Sequence, residues 1–227
     1  MTSRRLTRLT AGAALAAVML LAGCGDDPDE SMDSDDPGEA SLPEPEFEGD
    51  DTVRLPLGMV SPEGHDLAAP IAEDGRVRIS PDADSAQRNE IARTEVFGCT
   101  DTVSVIRSVP VVTDDAAFSA VEFLVQDAFS EHGDPEFRNP LAISEELRVE
   151  EVTVEDDVVA VELAGDLVVR DGCEAWQVYT QVDATARAAS GAASSELTLD
   201  GVPLAQALGI DADQTPVTIR EITEILR

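Results

Sequence analysis

The sequence contains no lysine. All 15 basic residues are arginine, set against 47 aspartates and glutamates, for a formal net charge of −32. Cations this sparse exclude a nucleic-acid partner, because binding a phosphate backbone needs a basic face. They equally exclude docking by charge onto an anionic membrane surface. Histidine is nearly absent, with only His65 and His132, and the chain has one Trp, one Tyr and three Cys. No GxSxG, HExxH, Walker loop or GxGxxG opening a helix occurs, so no motif of nucleophilic, zinc or nucleotide chemistry is present. The longest run of apolar or small residues, Leu9 to Ala22, has 14 residues. That is too short for a spanning helix, which needs about 20 residues, but it suits the central region of an export signal.

What is there divides by charge. Residues 1–23 carry +3, residues 24–51 carry −13 with no base, and residues 52–227 carry −22. The first block has a basic start (Arg4, Arg5, Arg8), the apolar run, and then Leu21-Ala22-Gly23-Cys24 before a polar stretch. This order resembles the lipobox of bacterial lipoproteins. That resemblance implies cleavage before Cys24 and a diacylglycerol on its thiol, which would hold the protein to the outer face of the cell membrane. Arg4-Arg5 also resembles the start of a twin-arginine signal, but Thr7 and Arg8 stand where apolar residues are expected, and the export route stays open. Two acyl chains anchor far more firmly than one, since each buried CH₂ contributes about 0.8 kcal/mol.

Residues 24–51 combine the lipidated cysteine with a linker whose Gly25–Asp51 stretch has four Pro, three Gly and 13 acids. Too little of it is apolar to offset chain entropy, so it is expected to be disordered and extended by its own repulsion. Asp33, Asp35, Gly38 and Glu44 fall in a calcium-loop register, but Pro37 replaces a ligand, so the spacing is that of an acid-rich tract.

Residues 52–92 are interrupted by Pro56, Pro62, Pro70 and Pro81 and are expected as an extended or short-strand segment packed on the main domain. Within it, Asp74-Gly75 predicts a hairpin turn before Arg76–Ile79. The main domain is expected over 93–227. Thr102–Arg107 alternates as a strand. Asp114 or Asp115 caps a helix running to about Phe129, with Ala117, Ala120, Val121, Leu124, Val125 and Ala128 on its apolar face. Val152–Val154 and Val159–Leu163 alternate around Glu155-Asp156-Asp157 and predict a hairpin. A second helix is expected from about Glu174 to Ala189, buried along Ala175, Val178, Tyr179, Val182, Ala186 and Ala189, and ended by Gly191. Glu196–Gly201 reads as a strand and turn, and the tail as an alternating pair, Val217 and Ile219, before a short helix through Ile222, Ile225 and Leu226. Strand, helix, hairpin, helix, strand defines an α/β fold of the α+β kind: a small mixed or antiparallel sheet with two helices on one face.

In order and spacing, these stretches resemble the GerMN family of sporulation and spore-germination domains, found in exported bacterial lipoproteins, over about residues 93–220. The resemblance rests on Thr102–Val109, Phe123-Leu124-Val125, the hairpin, Gln177–Val182 continuing to Arg187, Leu197–Pro203 and Pro216–Arg220. It implies a non-catalytic α/β module used in assembly or as an accessory in the cell envelope. It supplies no functional residues and no cofactor.

With Cys24 assigned to lipid, Cys99 and Cys173 remain, and an even pair outside the cytoplasm is most simply a disulfide. The alternatives are a reactive Cys173 near a helix N-terminus, or two unpaired structural thiols. His132 has three carboxylates close in sequence, Glu131, Asp134 and Glu136, but a solvated loop histidine is the plainer reading than a metal ligand. Trp176 and Tyr179 stand about one helical turn apart and are the candidate interaction surface, weighed against core packing. Together the readings point to a non-enzymatic, lipid-anchored extracytoplasmic protein without metal or cofactor, serving an envelope protein partner. The other reading is a solute- or cation-binding lipoprotein serving a membrane partner. A deep polar pocket would favour the second reading, and an apolar or aromatic patch at Trp176 the first.

Overall fold

The computed structural model describes residues 46–47, 51–62, 71–80, 88–133 and 136–224. The export signal, Cys24 and most of the acidic linker lie outside them, as does His65. The fold is α+β, as the sequence implies. Instead of one sheet it has two, with a helix between them.

The larger sheet contains β1 (Glu46–Phe47), β2 (Val53–Val60), β3 (Val77–Ile79), β4 (Glu90–Thr94), β5 (Val103–Val111), β6 (Glu131–His132), β7 (Phe137–Arg138) and β12 (Ile219–Glu224), in the order β3-β12-β4-β5-β2-β7-β6, with β1 also on β2. The smaller contains β8 (Arg148–Glu155), β9 (Val158–Ala164), β10 (Ser194–Leu199) and β11 (Val202–Pro203), in the order β11-β10-β9-β8. The helices are α1 (Ala116–Gln126), α2 (Gly172–Ser190) and α3 (Leu204–Leu208).

Local chemistry sets the boundaries. Asp115 caps α1, its carboxylate accepting from the Phe118 amide at 2.9 Å. Asp171 caps α2 in the same way, and Gly191, at φ +73°, closes it in the left-handed conformation. The β8–β9 turn is Asp156-Asp157, both at positive φ, and Asp200-Gly201 repeats that chemistry between β10 and β11. Two successive left-handed residues match the twist of a tight hairpin, and Asp tolerates the conformation better than most residues. The first helix stops three residues short of Phe129, because Asp127 leaves the helical conformation at ψ 109° while its amide still closes the last turn on Phe123.

Three expectations are corrected by pairing. Glu46-Phe47, read as linker, form β1 against Arg54 and Val53. β7 meets β2 only at Val60, which leaves the backbone groups at the start of β2 open to this partner. Val53–Val60 is not peripheral. It runs between β5 and β7, buried at seven of its eight positions, and Pro56 is tolerated because it falls at a register shift against β5. Ile222, expected in a helix, lies in β12, held antiparallel to β4 and parallel to β3. Ladder hydrogen bonds on both sides outweigh the weak helical spacing of the tail, whose last residues, 225–227, lie outside those described.

Fifteen of the 19 residues of α2 are buried. It packs on β2 and β5 of the larger sheet, on β9 and β10 of the smaller, and on α1 and α3. One core cluster joins Leu55, Leu57 and Met59 to Val121 and Leu124 of α1, Val178 and Val182 of α2, and Val161 and Leu163 of β9. A second joins Val60, Val103, Val105 and Ile219 to Ala184 and Ala188. The approach of α2 to β2 is close enough to require glycine. A Cβ on Gly58 would sit 2.9 Å from the Gln181 carbonyl oxygen and 3.0 Å from Thr185 Oγ1, and the Gly58 amide donates to that hydroxyl at 2.8 Å.

Gly58→Ala should therefore destabilise the fold by about 1–3 kcal/mol through overpacking. Gly172→Ala, where an added Cβ meets nothing within 4 Å, should be neutral or slightly stabilising. Urea denaturation of the two variants beside wild type measures this contrast, and equal effects would contradict the close-approach account.

Candidate functional site

The first turns of α2 gather the candidate residues. β4 leads into a tight turn in which Phe97 and Asp101 bridge, Gly98 sits at φ +49° and Thr100 at φ +73°. Cys99, at the tip of this turn, is disulfide-bonded to Cys173 in the first turn of α2, with Cα atoms 5.5 Å apart, within the usual span of such bonds. Gln177 Nε2 donates to Asp101 Oδ2 at 2.7 Å, one turn further along the helix. Trp176 lies against the backbone of Gly98, where a Cβ would come 3.0 Å from the tryptophan Cβ. Covalent bond, amide hydrogen bond and ring contact thus fix this turn to the helix start.

The aromatic pair is separated by burial. Trp176 is half-buried and lines a shallow depression of about 180 Å³ with Val96, Phe97 and Pro216, rimmed by Glu95 and Gln214. Tyr179 is 7% exposed and shares a hydrogen bond with Thr215, so it belongs to the core and not to a surface. Burial raises its phenol pKa above the ordinary value. One helical turn separates the two rings in sequence; the segment before β12 passes beside both, Thr215 bonding to Tyr179 and Pro216 lining the depression at Trp176.

On the other side of the α2 start, a polar cavity of about 270 Å³ opens between the β6–β7 region and the helix, with Ser130, Glu131, Arg138, Ile143, Arg170 and Gln177 in its wall. No motif marks it in the sequence, because its residues come from segments that only the fold assembles. His132 stands nearby but is engaged. Its Nε2 lies 2.5 Å from Asp127 Oδ2, with the Phe129 ring edge-on at 6.2 Å. Its close carboxylate is therefore Asp127 and not the neighbouring Glu131, and Asp134 is outside the described residues. Among the described residues no group of three or more His, Cys, Asp or Glu is placed to hold a metal ion. The paired acids Glu145-Glu146, Glu150-Glu151 and Asp156-Asp157 are exposed, as a solvated face requires.

Deep in α2, sequence reasoning missed a buried ion pair. Asp183 Oδ2 accepts from Arg187 Nη1 at 3.2 Å, Asp183 Oδ1 accepts from Ser195 Oγ at 2.5 Å, and Arg187 also donates to the Val217 carbonyl. The available signal was the i, i+4 spacing of opposite charges within an alanine-rich helix. Loss of solvation raises the Asp183 pKa, with Arg187 and Ser195 opposing the shift. Compared with known protein families, with curated proteins and with solved structures, the chain matches none.

Two outcomes follow. Replacing both Cys99 and Cys173 by Ser should cost about 2–4 kcal/mol of stability. Intact mass should rise on reduction of the unfolded, oxidised protein by the hydrogens added to one bond. For Asp183 the folded-state pKa is the higher one, so the native state binds more protons than the unfolded state between the two values. Its contribution is then fully present below the unfolded carboxylate pKa and is lost as pH rises through the folded value. The stability of wild type relative to Asp183→Asn should fall over that interval and then level off, as read by denaturation at a series of pH values.

Proposed function

We propose that the chain is a lipid-anchored extracytoplasmic protein of the bacterial cell envelope. Diacylated Cys24 holds it to the membrane, the acidic linker spaces it outward, and the folded part serves as a GerMN-like, non-catalytic interaction and assembly module. The observation that carries this reading is the division of the cysteines. Cys99 and Cys173 bond to each other, as suits an oxidising compartment, and leave Cys24 as the remaining thiol, at the end of an export-signal pattern. The succession β5, α1, β8–β9, α2, β10 follows the order of the GerMN-like stretches. The depression at Trp176 offers a protein partner a half-buried aromatic ring, Pro216 and the exposed Val96. Partly exposed tryptophans of this kind are enriched where interfaces hold their binding energy. The alternative, a lipoprotein that binds a small solute for a membrane partner, is favoured by one observation, the polar cavity beside Arg138.

The anchor is tested by expressing the full chain and its Cys24→Ala variant in a bacterial host. Wild type should partition with membranes and yield an N-terminal peptide bearing a diacylglycerol-modified Cys24. The variant should keep its signal or leave the membrane. Identical partitioning of both, or an unmodified Cys24 thiol in mature material, would sink the proposal. For the interaction module, a photo-crosslinking residue at position 176 should give discrete adducts in intact cells. One at Val112, which is 81% exposed, should not.

A further inference from the structure

The polar cavity next to α2 bears on the alternative reading, a solute-binding lipoprotein, and what it would bind depends neither on the anchor at Cys24 nor on the depression at Trp176. Its volume, about 270 Å³, lies just below the range of about 300–1,000 Å³ typical of drug-sized ligands. It therefore suits a compact molecule. Gln177 in its wall is 8% exposed, and Asn139, also lining it, is fully buried, so the wall is preorganised by side chains that the fold holds in place. Asn139 is fixed by donating to the Leu124 carbonyl at 3.0 Å and accepting from the Leu141 amide, and Gln177 by its bond to Asp101.

One arginine in this wall is less closely matched than most of the others. Several arginines are closely matched to a carboxylate: Arg93 to Glu90 at 2.7 Å, Arg148 to Glu150 at 2.6 Å, Arg220 to Glu95 at 2.5 Å and Arg76 to Glu221 at 2.9 Å. Arg138 is not. Its nearest such contact is Asp101 at 3.9 Å, whose other oxygen is taken by Gln177. Arg170, its side chain 72% exposed, is paired to Glu174 at 2.5 Å through Nε and Nη2, which leaves its Nη1 donors outside that pair. Two guanidinium groups in one wall match a carboxylate, for which arginine has the fitting fork geometry. Glu131 in the same wall is exposed and offers a site for a cation. A ligand with several negative charges would be repelled by a folded part that carries −22, whereas a zwitterion brings no net charge.

The geometry points to a binding site for a small zwitterion of the amino-acid type, its carboxylate on Arg138 and Arg170 and its ammonium toward Glu131. The test uses the full chain in detergent and a panel of L- and D-amino acids, with acetate, methylamine and inorganic phosphate as single-pole probes. Melting temperature and the Gln177 side-chain amide signal are followed by titration. At least one amino acid should bind saturably and perturb that signal, and acetate, methylamine and phosphate should bind at least about tenfold more weakly. Arg138→Gln should weaken amino-acid binding about tenfold or more, and Glu131→Gln should remove the preference over acetate. Ile143→Trp, a substitution at a 38% exposed position in the wall, should block the cavity and abolish binding without touching either charge. It decides the matter should Arg138→Gln fail to fold. No saturable binding by any amino acid overturns the proposal. So does binding that survives Ile143→Trp, or phosphate or acetate binding as tightly as the amino acids.

Discussion

Helix α2 is enclosed by two sheets and two other helices, and the rest of the structure is arranged around that enclosure. A helix buried along most of its length has to meet two conditions together. Its neighbours must come close, which needs small side chains at the contacts, and its polar groups must find partners inside the protein, since few can turn outward. The sequence GCEAWQVYTQVDATARAAS meets the first with its alanines and with Gly58 opposite. It meets the second locally. Thr185 bridges the Gln181 carbonyl and the Gly58 amide, and Asp183 is shared by Arg187 and Ser195. The accounting is not complete, because Thr180 Oγ1, Gln181 Oε1 and Arg187 Nε are buried without a hydrogen bond. These groups sit along one stretch of the helix, and each lowers the stability gained from the burial around it.

The start of α2 concentrates the features with functional meaning. The disulfide, the Gln177–Asp101 bond and the Trp176–Gly98 contact clamp the helix to the turn between β4 and β5. Surface features on either side then inherit a rigid frame. On one side is the depression at Trp176, and on the other the arginine-bearing cavity. Asp101 takes part in both the clamp and the cavity, through Gln177 and Arg138 respectively. Rigid support of this kind lets side chains on loops hold a defined geometry.

The acidity is distributed in a way that the fold explains. Arginine, which stands at every Lys/Arg position of the chain, is used where its fork suits a pair of carboxylate oxygens, as at Glu90–Arg93, or converges on one, as at Glu174–Arg170. Acids along β8 and in the exposed turns face water, where mutual repulsion costs little and discourages edge-to-edge pairing of that strand.

Short-range patterns were legible in the sequence. The cap at Asp114 or Asp115, the Asp-Asp and Asp-Gly turns, the alternation of β8–β9 and the glycine stop at Gly191 depend on interactions within a few residues, and the chain declares them itself; sequence reasoning missed the Asp171 cap, which starts α2 two residues before the expected Glu174. The even pair Cys99 and Cys173 was legible by counting. What the tertiary structure alone decided depends on contacts between distant segments. Burial of Tyr179 but not Trp176 follows from packing, Tyr179 lying within the main core cluster and Trp176 only at the margin of the second. The strand fate of Ile222 follows from two neighbouring strands, β3 and β4, lying far away in sequence, and the central place of Val53–Val60 from its pairing with β5. The convergence of Arg138, Arg170 and Gln177 on one cavity leaves no local trace, because each residue's own surroundings are ordinary until the fold brings them together.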